Sequence, residues 1–359
     1  MIESELNRLC ISPTQTIREA IAAIDRGGEG IALVLDDSRR LIGTVTDGDI
    51  RRALLGGIDV GVSVTVLLGR KASSLYPSPV TAPFGTSRAA LLQLMQERVL
   101  RQIPLVDATG RVQGLALLSE LLPAQATALQ AVIMAGGFGT RLLPLTEELP
   151  KPMLRVGDRP LLERIIVQLR DVGIRQVNVT THHQRDRIVD YFGNGEAFGV
   201  EMHYVNEDRP LGTAGALGLM PTPDAPVLVI NGDILTQVDF RAMVAFHQEH
   251  KADMTVGVRQ YSFQVPYGVV ECDGAHVSRL TEKPELRFFV NAGIYLLEPT
   301  VHRHIRSDCH FDMTDLIQCL LDAHQPVVSF PIHEYWLDIG HHPDYMRAQE
   351  DVENGRVAP

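Results

Sequence analysis

The last two thirds of this 359-residue chain carry, in order, the residue types that phosphate chemistry needs. The run Gly136, Gly137, Phe138, Gly139, Thr140 follows directly on Ala135, the last residue of the apolar stretch AVIMA (131–135). Glycines in such a place let backbone N–H groups approach and surround phosphate oxygens. Arg141 and Lys151 come next, with prolines at 144, 150 and 152 that bias the stretch against a continuous helix. An extended loop can fold both cations back over the glycines, arginine as a planar fork and lysine as a point charge. A second apolar run, VLVINGDIL (227–235), leads into Asp233. A carboxylate at the carboxyl end of a strand is placed to hold Mg²⁺, which takes oxygen ligands and bridges phosphates. Two commoner phosphate loops do not fit. A dinucleotide-binding G-x-G-x-x-G needs a third glycine where Leu142 stands, and a Walker loop needs a Gly-Lys-Ser/Thr triplet that is absent.

These groups require strands that end beside one another. AVIMA, VNVT (177–180) and VLVI (227–230) are short continuous apolar runs, as expected of strands buried on both faces. PLLERIIVQLRDVG (160–173) has helical apolar spacing and a candidate C-cap at Gly173. Strands alternating with helices predict an α/β domain over 131–350 with a Rossmann-like, mainly parallel mixed sheet. The first third is different. Thr16–Gly43 and Thr86–Gly114 repeat one pattern: a helical stretch, a β-rich run (IALVLD, QIPLVD), a polar turn and a second strand. Each copy then runs into a second helix (DIRRALL, SELLPA). This predicts a tandem pair over 1–125, with copies at about 1–68 and 69–125, then a linker at 126–130 and a tail at 351–359.

Lys plus Arg number 33 and Asp plus Glu 44, a net charge of −11, which excludes a nucleic-acid coat and confines positive charge to local patches. Four scattered cysteines and an acidic start, MIESEL, predict a reduced, cytoplasmic protein without a signal peptide. No apolar run approaches the ~18 residues of a membrane span.

GGFGTRLLPLTEELPKPML (136–154) resembles the signature of the sugar-phosphate nucleotidyltransferases, which join an NTP to a sugar 1-phosphate and release pyrophosphate. The resemblance implies the nucleotide-diphospho-sugar transferase fold and Mg²⁺ as cofactor. It makes Arg141 and Lys151 catalytic, and places Ala135, Gly136, Gly137, Gly139 and Thr140 around the nucleotide phosphates. Asp233 resembles the family's metal aspartate, and Asp338 in EYWLDIG (334–340) the second one; a turn aspartate is the plain alternative. NEDRPLGTAGAL (206–217) resembles the nucleotide-base loop, with Glu207, Gly212 and Thr213 as contacts. A carboxylate at 207 suits the two donors of guanine, whereas glutamine suits uracil or thymine; a solvated loop residue is the other reading. PYGVVE (266–271), EKP (282–284) and NAGIYLL (291–297) follow in family order, implying a sugar pocket of Gly268, Glu282, Asn291 and Gly293, with Lys283 on the sugar phosphate.

LIGTVTDGDIRRAL (41–54) resembles the core of a CBS domain, so the repeat resembles a CBS pair. Such pairs bind adenine nucleotides, which would use Thr46 and Asp49 in copy one. Copy two has Leu117 and Glu120 at the matching places, leaving one nucleotide site or a purely structural pair that dimerises. A homo-oligomer is expected either way. The combination resembles guanylyltransferases of bacterial surface-sugar pathways. GTP and glucosamine 1-phosphate are thus the expected substrates, with mannose or heptose 1-phosphate as near alternatives and a catalytically silent nucleotide sensor as a third. His182, His183, His302, His304, His341 and His342 form no zinc set, and FDMTDL (311–316) reads as a helix cap at Asp312 or Thr314.

Overall fold

The computed structural model describes residues 3–72, 76–121, 129–306 and 309–357. The chain divides into two compact units, Met1–Ala126 and Thr127–Pro359. The linker expected at 126–130 falls mostly outside the described residues, as does the end of SELLPA.

The larger unit is built on a seven-stranded sheet. Its strands are β1 (Gln130–Met134), β2 (Gln176–Thr181), β3 (Glu201–Asn206), β4 (Val227–Asn231), β5 (Met254–Gln264), β6 (Glu285–Leu297) and β7 (Val327–Ile332), in the order β3-β2-β1-β4-β6-β5-β7. The β3/β2, β2/β1, β1/β4 and β5/β7 pairs are parallel; only β6 runs against its neighbours. The apolar runs are continuous because both faces are covered. Ala131, Ile133, Leu228 and Ile230 pack with Leu162, Ile165, Ile166 and Leu169 of the helix Leu161–Asp171. Val132, Val227 and Val229 point the other way, onto Leu316 and Leu320 of the helix Met313–Asp322. Side chains alternate between faces of a strand, so each run feeds two cores.

The carboxyl ends of β1, β2, β3 and β4 lead into the glycine loop, the His182–His183 loop, the base loop and the Asp233 turn. The Gly232 N–H donates to the Met134 carbonyl at 2.9 Å and the Ala135 N–H to Thr180 at 3.1 Å, so these ends are stitched together. Beyond Asp233, Ile234–Thr236 pairs antiparallel with Trp336–Asp338, and Ile234 stands opposite Asp338. The proline-rich loop forms only two single turns of 3₁₀ helix, Thr140–Leu142 and Lys151–Met153. The helix expected over 160–173 ends at Asp171, and His302 and His304 lie in a 3₁₀ helix.

The outer halves of β5 and β6 leave the core as a two-stranded arm. Tyr261 pairs with Phe288 and Phe263 with Leu286 on one face, and all four are exposed. Between them lies the hairpin Val269–Asp273/His276–Thr281.

The smaller unit holds two sheets of the same plan. Cys10–Ile11 runs parallel to Ile31–Leu35, which is antiparallel to Leu41–Thr46. Ala82–Pro83, Gln102–Val106 and Val112–Leu117 repeat this, with an irregularity at the equivalent step in each hairpin. The turns match in detail: Asp36 Oδ1 accepts the N–H groups of Ser38 and Arg40, and Asp107 Oδ1 those of Thr109 and Arg111. Each copy has a left-handed residue in this turn, Arg39 (φ 62°) and Gly110 (φ 80°), and another closing its first helix, Gly28 (φ 71°) and Val99 (φ 53°). Among the described residues no helix is long and apolar enough to cross a membrane.

Candidate active site

Lys151 opens its 3₁₀ turn behind Pro150, and Pro152 packs beside Gly232. That fixes the lysine backbone against the Asp233 turn. Its Nζ meets Asp233 Oδ2 at 2.5 Å, an ion pair across 82 residues of sequence. The other Asp233 oxygen, Oδ1, is buried and has no hydrogen-bond partner. The Ile339 N–H donates to the Asp233 carbonyl at 3.0 Å, so the short ribbon brings Asp338 to the same place. Burial pushes the Asp338 carboxyl above the usual carboxylate range, and the Asp233 charge adds to this; Lys151 and Arg141 pull the other way. Arg141 is exposed and directed at Gly340, where a Cβ would lie 3.9 Å from its Nη1. One lysine, one arginine and two aspartates therefore converge beside the glycine loop.

The glycine loop is pinned from behind. Thr146 Oγ1 donates to the Gly139 carbonyl at 2.9 Å. A side-chain carbon at Gly136 would stand 2.5 Å from Glu207 Oε1, so only glycine lets this loop and that carboxylate share the space. Glu207 is not a solvated loop residue: it is 6% exposed. Its Oε2 accepts the Leu211 N–H at 3.1 Å, Thr180 adds a side-chain hydrogen bond, and burial pushes its carboxyl above the usual range. His182 Nδ1 donates to the Glu207 carbonyl at 2.6 Å. Both His182 and His183 have ring centroids about 5.5 Å from that of Phe138 in the glycine loop (5.4 and 5.5 Å). The chain turns here, so these neighbours do not diverge as they would along a strand.

The base loop is held at its far end by Asp312. Asp312 Oδ1 accepts the Thr213 N–H at 2.9 Å, and the Met313 N–H donates to Thr213 Oγ1 at 2.9 Å. Gly212 (φ 81°) passes so close that a Cβ would stand 2.7 Å from the Phe311 carbonyl oxygen. Asp312 is the N-cap residue of Met313–Asp322, as its sequence suggests, and it also clamps Thr213. That second role leaves no local sequence signal, because the two residues are 99 apart.

The remaining residues predicted for the larger unit lie on or beside the arm. Glu282 Oε2 sits over Gly268, 2.9 Å from where a Cβ would stand. Lys283 follows, exposed and left-handed (φ 45°). Lys251, His324 and Val99 share that conformation, but they end helices, where it is ordinary. Asn291 Oδ1 accepts the Gly293 N–H at 3.0 Å. Among the described residues no ion pair or hydrogen bond ties Glu282 or Lys283 to the Lys151–Asp233–Asp338 group. In the smaller unit, Thr46 and Asp49 form the capping box of the helix Asp47–Leu55, and Asp49 also pairs with Lys71 Nζ at 2.6 Å.

An oxygen-binding dication fits this chemistry. Asp233 offers a buried oxygen without a partner, and Asp338 supplies a second carboxylate whose charge its neighbour makes costly to leave uncompensated.

Comparison with known proteins bears on the same region. Residues 130–355 match the nucleotidyl transferase family model, and residues 4–56 match the CBS domain model. The chain is 33% identical over 245 residues to the UTP–glucose-1-phosphate uridylyltransferase of Synechocystis. It is 32% identical over 229 residues to the mannose-1-phosphate guanyltransferase of Aspergillus fumigatus. These matches cover 62% and 61% of this chain, and it spans 63% and 62% of the two relatives' lengths. A solved structure from Bacillus anthracis, described as a glucose-1-phosphate thymidylyltransferase in complex with sucrose, superposes with a TM-score of 0.51. It is 27% identical, over 62% of this chain and 94% of its own.

Proposed function

The chain belongs to the nucleotidyl transferase family, and on that premise we propose that it joins an NTP to a sugar 1-phosphate and releases pyrophosphate. The observation that carries this reading is the meeting of Arg141, Lys151, Asp233 and Asp338 beside the glycine loop. A sugar 1-phosphate is already an anionic nucleophile, so the site needs no strong base. The barrier lies in bringing two polyanions together and stabilising charge on the leaving pyrophosphate.

In this reading the backbone of Ala135–Thr140 cradles the nucleotide phosphates. Lys151 draws in the α-phosphate, and Arg141 neutralises the departing pyrophosphate. Asp233 and Asp338 would hold Mg²⁺, which when bound supplies Lewis-acid polarisation of the phosphates. Gly268, Glu282, Asn291 and Gly293 line the sugar side, with Lys283 on the sugar phosphate. We assign this chemistry to 131–350 and a regulatory or oligomerising role to the pair of repeats in 1–125. Thr46 and Asp49 are its adenine-nucleotide contacts and the assembly is a homo-oligomer in the cytoplasm.

GTP is the proposed nucleotide and glucosamine 1-phosphate the proposed sugar. A carboxylate has about four acceptor sites. Leu211 and Thr180 use two of those on Glu207, which leaves capacity for the two donors of guanine. Relatives of similar identity include both a guanyltransferase and a uridylyltransferase, so the choice of base rests on Glu207. The test is pyrophosphate release with Mg²⁺ over a grid of four NTPs and glucosamine, mannose, glucose and heptose 1-phosphates. One strong GTP cell with glucosamine 1-phosphate is expected, and Glu207→Gln should lower the GTP-to-UTP ratio. Turnover with another base or sugar would replace those assignments, and silence across the grid would overturn the enzyme reading.

A further inference from the structure

Resting on that reading, we propose that Lys151 is the counter-ion of Asp233 in the free protein, keeping divalent cations off this carboxylate until a nucleotide phosphate draws the ammonium away. The pair is short and enclosed: Nζ lies 2.5 Å from Oδ2, with the lysine side chain 11% exposed and the aspartate 26%. The lysine backbone is fixed. Met153 N–H donates to the Pro150 carbonyl at 2.8 Å, and Leu154 N–H to the Lys151 carbonyl at 3.1 Å. Its Cβ lies 3.2 Å from where a Cβ on Gly139 would stand, so its stem rises between the glycine loop and the Asp233 turn. Only the flexible stem needs to move for Nζ to exchange a carboxylate for a phosphate.

The opposite oxygen completes the argument. Asp233 Oδ1 is buried without a donor, although a carboxylate in such a place ordinarily collects one. A dication approaching Oδ1 while the ammonium holds Oδ2 meets a neutralised carboxylate and a like charge. Asp338 beside it does not change this, because Arg141 lies on the same side and the site already sets two cations against two carboxylates. Once a phosphate takes Lys151, both Asp233 oxygens carry uncompensated charge and metal affinity rises. Metal and nucleotide then bind with positive coupling, and by linkage each strengthens the other.

The full-length protein, stripped of metal, tests this in two ways. In the first, Mn²⁺ is titrated without nucleotide and free aquo-Mn²⁺ is read by electron paramagnetic resonance. Wild type should bind weakly, Lys151→Met at least tenfold tighter, and the double variant Lys151→Met/Asp233→Asn as weakly as wild type. Equal binding by wild type and Lys151→Met would overturn the proposal. In the second, GTP affinity is measured in EDTA. Asp233→Asn releases Lys151 and should tighten GTP binding at least fivefold, and by more than Asp338→Asn, which removes the same charge but leaves the ion pair. Equal gains from the two aspartates would reduce the effect to bulk charge and overturn it. The second arm needs no Lys151 variant, so it stands if Lys151→Met does not fold. Failure of the enzymatic reading has its own signature, no pyrophosphate release by wild type, and the Mn²⁺ titration still judges the ion pair.

Discussion

The nucleotide end of the larger unit and its arm differ in how their polar groups are held. At the nucleotide end nearly every functional side chain has a partner: Lys151 with Asp233, Glu207 with Leu211 and Thr180, Thr213 with Asp312. On the arm, Glu282 and Lys283 are exposed in the bend between Thr281 and Glu285, and the arm's strands present Tyr261, Phe263, Leu286 and Phe288 to the outside. A two-stranded ribbon is marginally stable by itself. Under the proposed function every NTP would bring the same triphosphate to a prebuilt cradle, whereas the arm would leave its sugar contacts to be completed by the ligand.

Three substitutions break or sharpen this contrast. Arg141→Ala should cost ~2–4 kcal/mol of transition-state stabilisation, by comparison with loss of one oxyanion donor. This is read as a fall in kcat/KM for both substrates, and near-normal turnover would remove Arg141 from the chemistry. Lys283→Ala should cost ~1.5–3 kcal/mol, the range for a hydrogen bond to a charged group. It should appear as a raised KM for sugar 1-phosphate with nucleotide affinity unchanged. Equal loss of both affinities would make the arm and the cradle one unit. The smallest effect concerns Asp338. Its folded-state pKa is raised, so the strain of its ionised form is absent in acid and grows as pH rises through that pKa. Asp338→Asn should therefore gain in Tm over wild type as pH goes from 4 to 7, while losing activity. A constant Tm difference across that range would contradict the pKa direction.

What could be read from the sequence was local. The apolar runs, the glycine loop and the proline-broken stretch after it each carry their own backbone consequences within a few residues. The burial of Glu207 was not legible, because it depends on Thr180, His182 and Gly136, which come from other strand ends. The same holds for Asp312, whose cap is visible in FDMTDL but whose grip on Thr213 arises only when the base loop packs against the start of the helix Met313–Asp322. Order along the chain named Lys151 and Asp233 as neighbours in function. It gave no sign that they neutralise each other before substrate arrives.

The left-handed positions of the small unit mark where its robustness has room to rise. One copy keeps glycine where its first helix ends and has Arg39 in the turn; the other keeps Gly110 in the turn and has Val99 at the helix end. Each copy therefore holds one non-glycine residue left-handed, at about 1–2 kcal/mol for a residue held that way. The exposed Val99 is the cleaner place to remove that cost. Glycine at both Arg39 and Val99 should make this unit sturdier than it now is.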